Sequence, residues 1–163
     1  MSYFKEFLKD KSVGAISSSS KAMGNVIYGS LNLKEAEAVA EFGAGDGVFT
    51  TQILKLIGPN TKFFVFETNE SFIKILKEKI SDDRVIIIKD SAEKIGEYIL
   101  NNNIKKVNYI ISALPLSLIP VPVKNSIIEN SIKHLKSDGQ YVLTIAFQTV
   151  SYTHLTLPTT AYV

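Results

Sequence analysis

The stretch Ala38-Val39-Ala40-Glu41-Phe42-Gly43-Ala44-Gly45-Asp46-Gly47 joins a mostly apolar run to three closely spaced glycines. Ala38 to Phe42 reads as a buried strand, since near-continuous apolar residues suit a strand covered on both faces. From Val48 to Ile57 the apolar residues recur at helical spacing, and Gly58-Pro59-Asn60 stops the run. The glycines therefore fall on a strand-to-helix turn. There a missing Cβ permits a tight bend and lets a ligand approach the backbone.

Working outward, strands are expected at Lys62–Phe66, Val85–Ile88, Val107–Ile111 and Tyr141–Phe147. Helices are expected at Ser71–Ile80, with Phe72, Ile75, Leu76 and Ile80 on one face, at Ala92–Leu100, and at Val123–Leu135, closed by Ser137-Asp138-Gly139. Alternating strands and helices predict an α/β fold: a Rossmann-like, doubly wound, mostly parallel sheet with helices on both faces. Ahead of it, Tyr3, Phe4, Phe7 and Leu8 recur at helical spacing, and Lys21–Tyr28 reads as a second helix. Residues 1–30 are thus expected to form a helical cap on a core spanning 31–149.

The 163 residues carry a formal charge of +2 and no cysteine. So small a charge does not by itself imply nucleic acid. The absence of cysteine removes disulfides and thiolate metal sites, and no metal is expected. No apolar run reaches the roughly 20 residues that span a bilayer, and no signal peptide is evident, so a cytoplasmic location is expected.

The spacing of the turn selects its ligand. Dinucleotide sites read G-x-G-x-x-G and seat a pyrophosphate on the helix N-terminus. Here the spacing is G-x-G-x-G, with Glu41 ahead of it and Asp46 inside it. Two carboxylates repel a diphosphate and suit S-adenosylmethionine (SAM), which carries an ammonium and a cationic sulfur. An ordinary glycine-bearing turn and a nicotinamide site are the alternatives. Glu67 lies twenty positions beyond Gly47, where an acid takes ribose hydroxyls; a solvated strand-end cap is the plainer reading. Asp90, within Lys89-Asp90-Ser91-Ala92, suits a cap for the helix beginning near Ala92. The expected cofactor set is Glu41, Gly43, Ala44, Gly45, Gly47, Glu67, Thr68, Asp90, Ser91 and Ala92.

Taken together, these residues resemble class I SAM-dependent methyltransferases. Val13-Gly14-Ala15-Ile16-Ser17-Ser18-Ser19-Ser20-Lys21-Ala22-Met23 is similar to the N-terminal motif of bacterial phospholipid N-methyltransferases (phosphatidylethanolamine N-methyltransferase-like). Ser112-Ala113-Leu114-Pro115-Leu116-Ser117-Leu118-Ile119-Pro120 is similar to that family's segment after the fourth strand. The resemblance implies that Asp90 meets the adenine amino group, and one residue can serve both this role and the cap. It also implies that Ser18 closes over SAM and that Ser112, Leu114 and Pro115 position an amine acceptor, a phospholipid headgroup at the inner membrane face. The ribosomal RNA adenine dimethylase family shares this core and supplies the alternative acceptor, RNA. Relative to that family's Asn-(Leu/Ile)-Pro-(Tyr/Phe) motif, the Asn is absent and Leu116 stands for the aromatic ring that stacks on a flipped base. His134 is expected on the polar side of its helix, without a catalytic role.

Val150 to Thr159 resembles one reading frame of a sequencing-library adapter, so 150–163 are expected to be foreign to the natural protein. On that reading the sheet is truncated after its fifth strand, whereas this class of methyltransferase has seven.

Overall fold

The computed structural model describes residues 28–144. Ser18, the segments 1–27 expected to form most of the helical cap, and the tail 150–163 lie outside the described residues. The elements run β1 (Ala38–Phe42), α1 (Val48–Leu54), β2 (Lys62–Phe66), α2 (Glu70–Lys79), β3 (Val85–Ile88), α3 (Ile95–Asn101), β4 (Val107–Ser112), α4 (Val121–His134) and β5 (Leu135–Leu143). One sheet has the order β3-β2-β1-β4-β5, and every neighbouring pair is parallel. This is the Rossmann-like arrangement expected, with chain order reversing beside β1.

Strand alternation splits the core in two. Val39 of β1 packs with Tyr28, Ile53, Phe63, Val65, Leu76 and Ile80 on one face of the sheet. Ala38, Ala40 and Phe42 pack with Phe64, Phe66, Ile95, Ile99 and Ile127 on the other. Phe42, Phe63, Phe64 and Phe66 are almost completely buried, and a buried side chain of this size contributes about 1.5–3 kcal/mol. Asn108 Oδ1 accepts from the backbone N–H of Glu37 (3.0 Å) and Ala38 (3.2 Å), which fixes where β1 enters beside β4.

Several expectations change at element ends. The first helix ends at Leu54, not Ile57. Arg84 ties down this end of the helix and the turn after it, donating to the backbone oxygens of Leu54, Ile57 and Gly58 at 3.1–3.2 Å. The second begins at Glu70 because the Asn69 side chain accepts from Ser71 N–H. Its buried face is Ile73, Leu76 and Ile80; Ile75 is 39% exposed. The segment after β3 opens with a 3₁₀ turn, Ala92–Lys94, before α3.

The largest departure is at the end. Ser137-Asp138-Gly139 does not close a helix; it lies within β5, which starts directly after His134. Val107 pairs with Leu135 and Tyr109 with Gln140, so the ladder carries an irregularity that absorbs the intervening residues. A Cβ on Gly139 would sit 2.8 Å from the Asn108 carbonyl oxygen, so glycine is what lets the bulge lie against β4. Residues 145–147 of the expected fifth strand lie outside the described residues. His134 is also corrected: it is buried rather than on a polar face, Nδ1 lies 2.9 Å from the Asn130 carbonyl oxygen, and its ring fills the space left by Gly96.

Candidate cofactor site and acceptor segment

The three glycines follow β1 directly, and all have positive φ: +76° at Gly43, +56° at Gly45 and +80° at Gly47. Such a run is strained for any residue with a side chain. Around the positions the surroundings differ. A Cβ at Gly43 would come 3.0 Å from Leu114, and one at Gly47 would come 2.8 Å from Leu76. At Gly45 it would meet nothing within 4 Å. Gly43 and Gly47 thus serve packing, and Gly45 presents bare backbone to open space.

Two acids frame the turn. Glu67, one residue past β2, accepts from Gly45 N–H at 2.9 Å through Oε2 and from Thr68 and Asn69 N–H at 2.8 Å each through Oε1. It ties the turn to the end of the neighbouring strand and retains lone pairs for other donors. Glu41 points to the opposite side of the sheet from Phe42 and is 1% exposed. Its Oε2 accepts from Thr50 Oγ1 at 2.6 Å, while Oε1 is buried without a partner. Burial pushes the Glu41 carboxyl up to about 8; the Thr50 hydrogen bond opposes this and the charge of Glu67 adds to it.

Asp90 stands after β3. Lys94, at 2.9 Å, holds its carboxyl below the usual range, assisted by Ser91 N–H and the Tyr98 hydroxyl at 2.8 and 2.9 Å. The alternative reading of Asp90 as a cap is resolved in favour of its neighbour: the Ser91 side chain accepts from Glu93 N–H, and Ala92 is buried beneath the 3₁₀ turn. Tyr98 in turn stacks edge-on against Phe66, whose ring meets Phe42 at 5.4 Å. A chain of aromatic rings therefore runs from β1 to the partner of Asp90. Sequence reading missed Tyr98, Thr50 and Asn69; Asn69 alone had a local signal, its Asn-x-Ser spacing at a helix start.

The segment after β4 meets the glycine turn. Ser112 pairs with Phe42 in the sheet, Ala113 N–H donates to the Phe42 carbonyl at 2.9 Å, and Leu114 packs on Gly43. Ser112 is fully buried, and its carbonyl accepts from both the backbone N–H and the hydroxyl of Thr144. Pro115 accepts from Leu118 N–H at 2.8 Å, closing a turn that leaves Leu118 and Val121 more than half exposed. The structure thus brings Glu41, Gly43, Ala44, Gly45, Gly47, Glu67, Thr68, Ser112 and Leu114 around one end of β1, β2 and β4. Asp90, Ser91 and Ala92 stand at the same end of the adjoining β3.

A 3-2-1-4-5 parallel sheet, a glycine turn after its first strand and acids after its second and third define the core of the class I SAM-dependent methyltransferases. The model of the ribosomal RNA adenine dimethylase family matches residues 4–137. The chain belongs to that family. It is also 20% identical, over 117 residues, to an ornithine lipid N-methyltransferase of Singulisphaera acidiphila; the match covers 71% of this chain and 61% of that protein. In fold it is similar to an rRNA methylase from Streptococcus thermophilus, with a TM-score of 0.60 and 16% identity over 78% of this chain and 71% of that one. It is likewise similar to the 1,6-didemethyltoxoflavin-N1-methyltransferase of Burkholderia thailandensis, solved with S-adenosylhomocysteine, with a TM-score of 0.62 and 12% identity over 86% and 58% of the chains.

Proposed function

We propose that the chain binds SAM in the turn after β1 and transfers its methyl group to an amine, on a phospholipid headgroup. The residues fit the cofactor. Open backbone at Gly45 admits a ligand, and the buried free oxygen of Glu41 suits an ammonium; Lys79, beside the turn, donates to the Asp46 carbonyl oxygen at 2.9 Å. In this reading Glu67 and Thr68 take the ribose hydroxyls, and Asp90, Ser91 and Ala92 take the adenine. Gly43, Ala44, Gly45 and Gly47 shape the turn.

The chemistry the cofactor supplies when bound is an electrophilic methyl on a cationic sulfur. The chain's task is to hold a neutral amine in line with that methyl and to exclude water, so positioning carries most of the acceleration. Leu114, seated on Gly43, sets the distance between acceptor and turn. Ser112 and Pro115 fix the path of the backbone on which the amine would rest.

The observation that carries the lipid assignment is the aliphatic character of the acceptor segment. From Ser112 to Val123 it holds no aromatic ring, and a nucleobase without a stacking partner forfeits about 1–3 kcal/mol. The lipid-methylating relative supports the same reading. RNA adenine methylation is the second reading, favoured by the family match over residues 4–137. Incubation with methyl-labelled SAM and either phosphatidylethanolamine vesicles or ribosomal RNA tests the two: label in the lipid is expected, label in RNA transfers the assignment to the base, and label in neither removes both acceptors.

A further inference from the structure

Glu41 is held in surroundings that do not favour a charge. Its neighbours across the ladder are Val65 on β2 and Ile111 on β4, both buried. From α1 it receives one hydrogen bond, from Thr50. From the segment before β1 comes Tyr28, 2% exposed, whose hydroxyl also lacks a partner. Burial pushes the Tyr28 phenol up, and the charge of Glu41 adds to that shift, so the two groups act on one another. From the end of β2 comes Glu67, of the same sign. Among the described residues no cation faces Glu41. An ionised carboxylate with one free oxygen in such a place is costly, and protonation relieves the cost.

We propose that Glu41 is a proton-exchange site: it holds a proton in the unliganded fold and releases it when a cationic ligand enters the glycine turn, so that cofactor uptake expels a proton. This rests on the SAM reading above. The uptake balances simply: the carboxylic acid becomes a carboxylate, the proton passes to solvent buffer, and the ligand's cation takes its place beside the free oxygen. With the carboxyl at about 8, roughly nine-tenths of the molecules are protonated at neutral pH. An opposite charge within about 4–6 Å lowers a carboxyl by 1–3 units, enough to ionise half or more of them. Thr50 stabilises the ionised form, which makes it a positioning residue for the exchange rather than a catalytic one.

The test is calorimetry of the whole chain with SAM at pH 7, in phosphate and in Tris, whose ionisation heats differ. The binding heat is expected to vary with buffer by an amount equal to about half to one proton released more than in Glu41→Gln, a neutral isostere of the protonated acid. Comparison with that variant cancels any proton exchanged by the ligand's own amine. SAM binding with the same proton count in both proteins overturns the exchange and leaves the SAM site standing; no binding by the native chain overturns both. Carbon-13 NMR of the unliganded native chain supplies a readout that needs no variant. A Glu carboxyl titrating near pH 8, and moving higher in Thr50→Val, supports the proposal. All Glu carboxyls titrating below about pH 5 contradicts it.

Discussion

The backbone N–H of Gly45 donates to Oε2 of Glu67 at 2.9 Å, joining the turn after β1 to the end of β2 across twenty-two residues of sequence. The bond holds a left-handed glycine, φ +56°, with its Cα facing open space. Gly45→Ala tests what that opening is for. The left-handed backbone costs a Cβ-bearing residue about 1–2 kcal/mol, so a fall of a few degrees in Tm is expected. Gly45→Arg places a bulky cation where the ligand lies and is expected to weaken SAM binding more than 100-fold. Unchanged affinity in that variant would move the site elsewhere.

The Glu41 carboxyl sets a pH dependence of stability whose sign follows from its environment. Held near 8 in the fold, against an ordinary value near 4.5, the group binds more protons folded than unfolded between those limits. Stability is therefore full below about pH 4.5 and is lost as pH rises toward 8, with a slope of up to about 1.4 kcal/mol per pH unit. Asp82 and Asp90, both held low by their partners, are ionised across that window and do not reverse the trend. Urea denaturation of the unliganded chain at pH 5, 6, 7 and 8 measures it; Glu41→Gln is expected to flatten the dependence.

Arg84 is a structural tie that composition does not reveal. It forms a two-pronged pair with Asp82 and donates to three backbone carbonyls at the end of α1 and the following turn. Arg84→Ala leaves those carbonyls and the carboxylate without their partner. A loss of about 2–3 kcal/mol is expected, since hydrogen bonds to charged groups run to about 1.5–3 kcal/mol each and water replaces part of them. Thermal unfolding reads the change, and SAM affinity at low temperature should hold, because the turn itself is untouched.

The apolar rim after β4 tests the acceptor. Leu118 and Val121 are exposed and lie beyond the turn made by Pro115. Leu118→Asp with Val121→Asp is expected to reduce methylation of lipid vesicles at least tenfold while leaving the Kd for SAM unchanged. Equal loss with RNA as acceptor, or none with vesicles, would argue against a lipid approaching over this rim.

The sheet was legible because each strand is a short apolar run bounded by turn residues: β1, β2 and β3 begin and end where the sequence puts them. Helix ends were less so, since they depend on partners distant in the chain. Arg84 absorbs the end of α1 from thirty residues away, and the periodicity of α2 admitted a face through Ile75 where packing chose Ile73. Ser137-Asp138-Gly139 has the local chemistry of a turn and is drawn into β5 because β4 offers it a ladder. At the site, the glycines and their flanking acids could be read from spacing. The buried state of Glu41, its bond to Thr50 and the placement of Leu114 on Gly43 could not, for each joins elements that only the folded sheet brings together.

The central claim, that the turn after β1 receives a sulfonium nucleoside rather than a diphosphate, is tested most directly by titrating the chain calorimetrically with SAM and, separately, with NAD. Saturable binding of SAM, lost in Gly45→Arg, and no heat with NAD is the predicted result. Binding of NAD, or of neither, would contradict it.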